Sequence, residues 1–334
     1  MNRQVTSRVV LALTLLAAMF VALGMGRYTM PLATVFRVLT SGIFNPEAVE
    51  GTVEYNVIFQ VRLPRIFLAC LTGMALSMSG AVLQGIFRNP LVGPGIIGVA
   101  SGAAFGAVGA MLMATSALFI MTLSFTSGMV ALFLTLSIAG RAGLKSLLAI
   151  ILGGIVTTAF FSALVSIVTF VADPRDSLPL IVFWLMGSFS GADVDKVLLL
   201  GAVCLVCFAV IFKGRYSINL LALGDEEASA LGVPVSRLRM LFLVMTTLAT
   251  AAAVSVSGTI GWVGLVVPHI ARLITGPDYR TLVTSSALLG ALYLLVADTL
   301  VRSSPYGEVP IGILSALVGA PVLAYLLRTR TISS

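Results

Sequence analysis

The stretch Lys213–Arg239, KGRYSINLLALGDEEASALGVPVSRLR, is the one long polar passage inside an otherwise apolar chain, and its reading sets the topology on either side. Lys213 and Arg215 make one end basic and Arg237 and Arg239 the other, while Asp225, Glu226 and Glu227 make the middle acidic. The pattern predicts two short helices outside a membrane. Ser217 caps the first and Gly224 ends it in a left-handed turn. Asp225 caps the second, Glu226 and Glu227 complement its positive end, Gly232 stops it and Pro234 prevents a restart. Taken alone, the same residues fit an ordinary solvated loop equally well.

The chain as a whole is apolar: 59% hydrophobic and 10% charged residues, with a mean hydropathy of +1.10, exclude a soluble globular domain. A spanning helix takes about 20 apolar residues. The chain therefore reads as an all-α polytopic membrane protein with about ten transmembrane helices, forming a single membrane domain over residues 1–334. The formal charge of +7 comes from 20 basic and 13 acidic residues; in such a chain it reports orientation, and nucleic acid is not an expected partner. Cys70, Cys204 and Cys207 all lie in apolar runs. The CxxC of Cys204 and Cys207 sits at helical spacing inside a span, which favours small packing residues over redox or metal chemistry. The apolar run Val9–Met25 is long for a signal peptide and no small-x-small site precedes Arg27, so it is expected to remain as the first span.

Further spans are expected near Ile66–Val82, Gly95–Leu112, Ala117–Ala139, Ser146–Val171, Val197–Phe212, Met240–Val256, Val263–Ile274, Leu282–Leu300 and Ile311–Leu327. In the third of these ten, Gly98, Gly102 and Gly106 recur every four residues and predict a glycine face for close helix packing. LIVFWLMGSF, after Pro179, is too brief to span and reads as a re-entrant or interfacial helix. Of the 20 basic residues, this arrangement puts thirteen inside, including Arg3, Arg8, Arg141 and Lys145, and seven outside. That bias places both termini in the cytoplasm. Arg62, Arg65 and Arg302 are exceptions, positive charges on the face where they are disfavoured. RLPRIFLACLTGMALSMSG, before the third span, is weakly echoed by SRLRMLFLVMTTLATAAAVSVSG, before the eighth. The two spans run in opposite directions, and inverted repeats favour transport over intramembrane catalysis.

Few groups offer chemistry. His269, the single histidine, follows Pro268 and cannot build a multi-histidine metal site; it reads first as an interior histidine beside a proline kink. Asp298 inside the ninth span suggests proton coupling, or a local ion pair with Arg302 at i,i+4. Gln84 and Asn89 read as turn or helix-packing groups. The chain carries no GxxxxGK[ST] phosphate loop, no HExxH and no nucleophile–base–orienter set. No cofactor, metal or catalytic residue is expected on it.

Five segments together carry a family pattern: RLPR (Arg62–Arg65), SGAVLQGIFRNPLVGPGIIGVASGA (Ser79–Ala103), ALGDEEASALGV (Ala222–Val233), GTIGWVGLVVPHIARL (Gly258–Leu273) and VPIGILSALVGAPVLAYLL (Val309–Leu327). In order and over nearly the whole chain, they resemble the FecCD-like permeases, membrane subunits of type II ATP-binding-cassette importers for iron-siderophores, haem and cobalamin. The resemblance implies a homodimer in a bacterial or archaeal cytoplasmic membrane, with a path at the dimer interface. Two ATPase subunits, which bind the ATP, would dock inside, and a periplasmic or lipid-anchored substrate-binding protein outside. It assigns Arg62, Arg65 and Arg302 to binding-protein docking, the alternative being arginines that snorkel at helix ends. Asn89 and Leu91 fall at the cytoplasmic gate. The coupling helix that seats in the ATPase covers Leu223, Gly224, Asp225, Glu226, Ala228, Leu231 and Gly232, within the region 213–239. The implied cargo is a metal chelate, a ferric siderophore first, with haem, cobalamin or molybdate as alternatives. An ion-coupled secondary transporter using Asp298 is the competing reading.

Overall fold

A computed structural model of the chain describes residues 3–114, 116–140, 146–304 and 307–331. Arg141 and Lys145 of the expected basic loop lie outside the described residues, and every regular element among those described is helical. The chain opens with α1 (Arg3–Gly24) and α2 (Leu32–Phe44). After a 3₁₀ turn, α3 (Val53–Tyr55) starts where the Thr52 hydroxyl accepts from the Tyr55 N–H. It continues through a π-helical segment, Asn56–Arg62, into α4 (Leu63–Ile86). Pro64 accounts for the widened turn: a proline ring in an α-helix collides with the carbonyl four residues back, here that of Gln60. Next come α5 (Val99–Leu112), α6 (Ala117–Ala139), α7 (Leu147–Val171) and the short α8 (Ser177–Leu185). Ser116 and Ser146 cap α6 and α7.

α9 (Val194–Leu223), capped by Asp193, runs 30 residues without a break. The helix expected to begin at Ser217 is therefore the last part of α9. Arg215 donates back to the Phe212 carbonyl and stacks on the Phe212 ring, with its guanidinium carbon 3.4 Å from the ring centroid. The basic residues thus extend the helix where a restart was expected. α10 (Asp225–Ala230), α11 (Val235–Ser257), α12 (Val263–Thr275), α13 (Tyr279–Arg302) and α14 (Ile311–Thr331) complete the chain.

Seven described helices are long and apolar enough to cross a membrane, which makes this a multi-pass membrane protein. α5 and α12, at 14 and 13 residues, rise only about 20 Å, against a hydrocarbon core of about 30 Å. Both are preceded by irregular backbone whose side chains are buried, at Ile97 and at Ile260. Non-helical backbone is tolerated at membrane depth where protein covers it.

The bundle is assembled around α4, which is buried along nearly its whole length. A Cβ on Gly73 would stand 2.0 Å from the Gly290 carbonyl oxygen of α13, and one on Gly80 would stand 1.7 Å from that of Gly264 in α12. Backbone therefore meets backbone at two crossings, which only glycine allows. Leu71 and Gly85 of α4 lie beside Cys204 and Ile218 of α9, so these two run parallel. Cys207 and Gly214 of α9 lie beside Ala249 and Phe242 of α11, so α11 returns antiparallel to both. The two echoing segments, α4 and α11, are thus oppositely directed neighbours, each followed by an irregular turn and a short helix.

Of the three glycines expected on one helical face, Gly102 and Gly106 pack against the α6 backbone at Ser127 and Leu123. Gly98 does not join them. It precedes α5 with φ +82° and packs against Thr157 of α7. A left-handed turn at the end of Pro94–Ile97 takes the residue that the period assigned to the helix.

Gly73→Ala is expected to lower the thermal midpoint of the detergent-purified chain by several degrees, because overpacking costs about 1–3 kcal/mol. Gly109→Ala, in helix α5 where an added Cβ meets nothing within 4 Å, is expected to hold or slightly raise the midpoint, and both are read by one thermal-shift series.

Candidate functional site

Two polar ends and one apolar cavity stand out. At the first end, α10 hangs between α9 and α11 on two glycines with positive φ, Gly224 at +147° and Gly232 at +78°. Asp225 does not cap α10 with its side chain. Its Oδ1 accepts from Arg239 of α11 at 2.7 Å and lies 3.7 Å from Arg88, just past the end of α4. A Cβ on Gly224 would meet the Glu227 carboxylate at 2.0 Å. Leu223, Glu226, Leu231 and Gly232 are exposed, so the surface of this end mixes apolar and acidic groups. Gly224 and Ala228, expected on that surface, are instead buried inside the chain; the Gly224 carbonyl accepts from the Ala228 N–H and the Ala228 carbonyl from the Val233 N–H.

Arg88 has φ +52°, a left-handed conformation unusual for a side-chain-bearing residue. It reverses the chain into a turn in which the Asn89 side-chain oxygen accepts from the Leu91 N–H at 2.9 Å. Leu91 then lies on the wall of a cavity of about 600 Å³ between α4, the Pro94–Ile97 turn, α11, α12 and α14. Leu76, Pro94, Ile96, Val254, Ile260, Trp262 and Leu323 line it with apolar surface, and Thr250 and Thr259 add hydroxyls. Trp262 sits at φ +68° and its ring packs where a Cβ on Gly319 of α14 would stand. Such strain persists only where the surroundings enforce it, and it clusters at functional walls. Sequence reasoning passed over Arg88 and Trp262, because a positive φ leaves no mark when the residue is not glycine.

The same end is braced behind the cavity. Gln84 of α4 donates to the Leu265 carbonyl and accepts from Arg272, both at 3.1 Å. Asp278 caps α13, accepts from Asn219 of α9 at 2.8 Å, and pairs with Arg280 at 2.9 Å. Burial opposes its charge, but the Arg280 N–H, the Asn219 amide and the Arg280 guanidinium outweigh that and hold its carboxyl below the usual range.

At the opposite end, Arg62, Arg65 and Arg302 converge, yet they are only 3%, 5% and 8% exposed. Their donors turn inward. Arg62, re-aimed by the π-helical turn, donates to the carbonyls of Leu23 and Tyr28. Arg302 donates to the Ala22 carbonyl at 2.6 Å. Arg65 holds Asp298 at 2.8 Å and Glu308 at 2.8 Å. Asp298 is fully buried, and its other neighbour, Arg302, is 4.0 Å away. The i,i+4 partner expected from sequence is therefore present at the limit of contact, while the dominant partner is Arg65, 233 residues away. Glu308, with a one-third exposed side chain, is a residue that sequence reasoning did not single out. Beside these, α8 offers its last carbonyls to the rest of the end: Leu185 accepts from Thr259, and Met186 and Gly187 accept from the first N–H groups of α14. His269 is buried on α12, one residue after Pro268.

Comparison with known proteins places this architecture. The FecCD transport family matches residues 14–329. The molybdate import system permease protein MolB of Haemophilus influenzae is 42% identical over 95% of both chains. The cobalamin import system permease protein BtuC of Halobacterium salinarum is 40% identical over 83% of this chain and 74% of its own. A solved metal-chelate type ABC transporter in an inward-facing conformation superposes with a TM-score of 0.86 at 39% identity, covering 97% of this chain and 99% of that one. With its helices gathered about α4, its apolar cavity and its hanging α10, the chain belongs to the FecCD transport family, the membrane permeases of ATP-binding-cassette importers.

Proposed function

We propose that this chain, as a single permease domain, carries a metal chelate inward through a bacterial or archaeal cytoplasmic membrane, with a ferric siderophore as the first candidate. It works as a homodimer, crosses the membrane about ten times with both termini in the cytoplasm, and binds no cofactor of its own. Two ATPase subunits bind the ATP and seat against Leu223, Asp225, Glu226, Leu231 and Gly232, while a substrate-binding protein docks at the opposite end. The observation that carries this reading is a continuous line of contact: exposed α10, then Asp225 to Arg88, then the Asn89–Leu91 turn, then the cavity wall at Leu91. A push on α10 moves α9 and α11 through the chain itself, and moves the gate turn through the Asp225–Arg88 pair. The cavity suits a cargo that slides, because its wall is apolar and its few hydroxyls give little to hold a chelate fast. Relatives named for cargoes as different as molybdate and cobalamin fit a path that reads little of its cargo.

The deciding experiment is uptake into proteoliposomes containing the full importer with its binding protein. Ferric siderophore, haem, cobalamin and molybdate are offered in parallel. Accumulation of a ferric siderophore with ATP inside is the expected result, and uptake of molybdate alone overturns the choice of cargo.

Arg88→Ala is expected to cut substrate moved per ATP hydrolysed by roughly tenfold with little change in ATPase association, since it breaks the link behind α10 and leaves the outer face intact. An unchanged ratio in the same vesicles counts against the line of contact.

At the opposite end, the accessible part of the arginine cluster is the Arg65–Glu308 pair, where an acidic side chain of the binding protein would compete with Glu308 for the guanidinium. Glu308→Gln is then expected to tighten binding-protein association by roughly two- to tenfold at low salt. A titration showing weaker association instead would place the docking contact on Glu308 itself.

A further inference from the structure

We propose that a basic pocket on the flank of α9 holds the phosphate headgroup of an anionic phospholipid. The pocket, of about 400 Å³, is lined by Phe212, Lys213, Arg215, Tyr216 and Arg280. Two helices contribute its cations, Lys213 and Arg215 from α9 and Arg280 from the first turn of α13. The Arg280 guanidinium stands 5.8 Å from the centroid of the Tyr216 ring, and that of Arg215 lies over Phe212. Arg280 pairs with Asp278, which also accepts from the Asn219 amide. Among the described residues Lys213 and Arg215 enter no ion pair, and a phosphate would supply the missing negative charge with oxygens matched to guanidinium donors.

Depth identifies the source of that phosphate. Leu198, Leu205 and Phe212 recur at seven-residue spacing and are all exposed, so they form one apolar stripe along the outside of α9. The uncharged part of α9, from Val197 to Phe212, rises about 23 Å, most of the roughly 30 Å of a bilayer's hydrocarbon core. The first charges after the stripe are those of the pocket. Lys213 and its neighbours thus stand where lipid headgroups lie, with Tyr216 beside them as an interfacial aromatic. Basic pockets between spanning helices on the cytoplasmic side are the places where anionic headgroups seat. The exposed Leu223 of the coupling surface lies two turns farther along α9, about 10 Å beyond the pocket, which separates the lipid site from the α10 surface.

The test is the thermal midpoint of the purified full-length chain in neutral detergent with added phosphatidylglycerol, phosphatidylcholine or inorganic phosphate, for the parent and for Lys213→Gln with Arg215→Gln. Phosphatidylglycerol is expected to raise the parent's midpoint by about 3 °C more than phosphatidylcholine does, and the double substitution is expected to abolish that increment. Should the double variant fold poorly, Lys213→Arg with Arg215→Lys must retain the increment and each single Gln substitution must reduce it. Equal effects of the two lipids, or an increment that survives removal of both charges, overturn the proposal. A full shift from inorganic phosphate alone makes the pocket a free-anion site and overturns it as well. If the double variant keeps the lipid increment and loses association with the ATPase subunit, the occupant is an acidic protein surface.

Discussion

The contact on which the rest depends is the approach of the α4 backbone to two neighbours, at Gly73 against Gly290 and at Gly80 against Gly264. In a bilayer the lipid tails are as apolar as leucine, so burial of apolar side chains drives helix association weakly. Close backbone packing takes over that role. The two crossings lie seven residues apart on α4, two turns of one face, and they hold α13 and α12 against the same helix. Everything at the two polar ends inherits its position from this pair. Gln84 meets Leu265 and Arg272 because α12 is pinned one turn earlier. Arg65 meets Asp298 because α13 is pinned two turns away. The cavity opens on the side of α12 left uncovered, where α14 and the Pro94–Ile97 turn complete its wall.

Asp225 joins two arginines with very different strength. Its contact with Arg88 is long, at 3.7 Å, and the two side chains are 41% and 32% exposed. A pair so solvated contributes about 0–1 kcal/mol, too little to matter for the fold. Arg239, fully buried and 2.7 Å from the same oxygen, anchors the carboxylate firmly to α11. The aspartate is thus fixed on one side and lightly joined on the other. On the coupling role proposed for α10, that asymmetry would let the contact follow a moving surface, because a strong bond at both sides would tie the Asn89–Leu91 turn to α11.

Much of this was legible in the sequence, for identifiable reasons. Ala117–Ala139 and the start of α12 at Val263 fall where apolar period and turn residues put them, because helix length in a membrane protein is set by the bilayer and marked by breakers. The antiparallel kinship of α4 and α11 is visible in their echoing residues. Local pattern failed where tertiary contact decides. Gly98 lies on the same four-residue period as Gly102 and Gly106, but the preceding Pro94–Ile97 turn claims it. Ser217 resembles a cap, but Arg215 bonding back to Phe212 carries α9 through. Ala228 sits in an acidic, polar run and is nevertheless buried, because the Val233 N–H folds back onto its carbonyl. Glu308 has no local signature; its significance comes from Arg65, 243 residues away.

The charges at the opposite end follow the same logic and weigh against a carboxylate that shuttles protons. A coupling carboxylate has to meet water on each side in turn and exchange its proton, so its partners must be dispensable. Asp298 is fully buried, accepts from Arg65 Nε at 2.9 and 3.2 Å and lies 2.8 Å from its Nη2, with Arg302 behind it. Removing one partner of such a pair leaves an uncompensated buried charge, at a cost of about 3–5 kcal/mol. Arg65 in turn is shared with Glu308, so the cation that Asp298 needs also holds the loop before α14. That loop feeds the N–H groups of Ile311 and Gly312 into the last carbonyls of α8. A cluster wired in this way fixes the geometry of one end of the bundle.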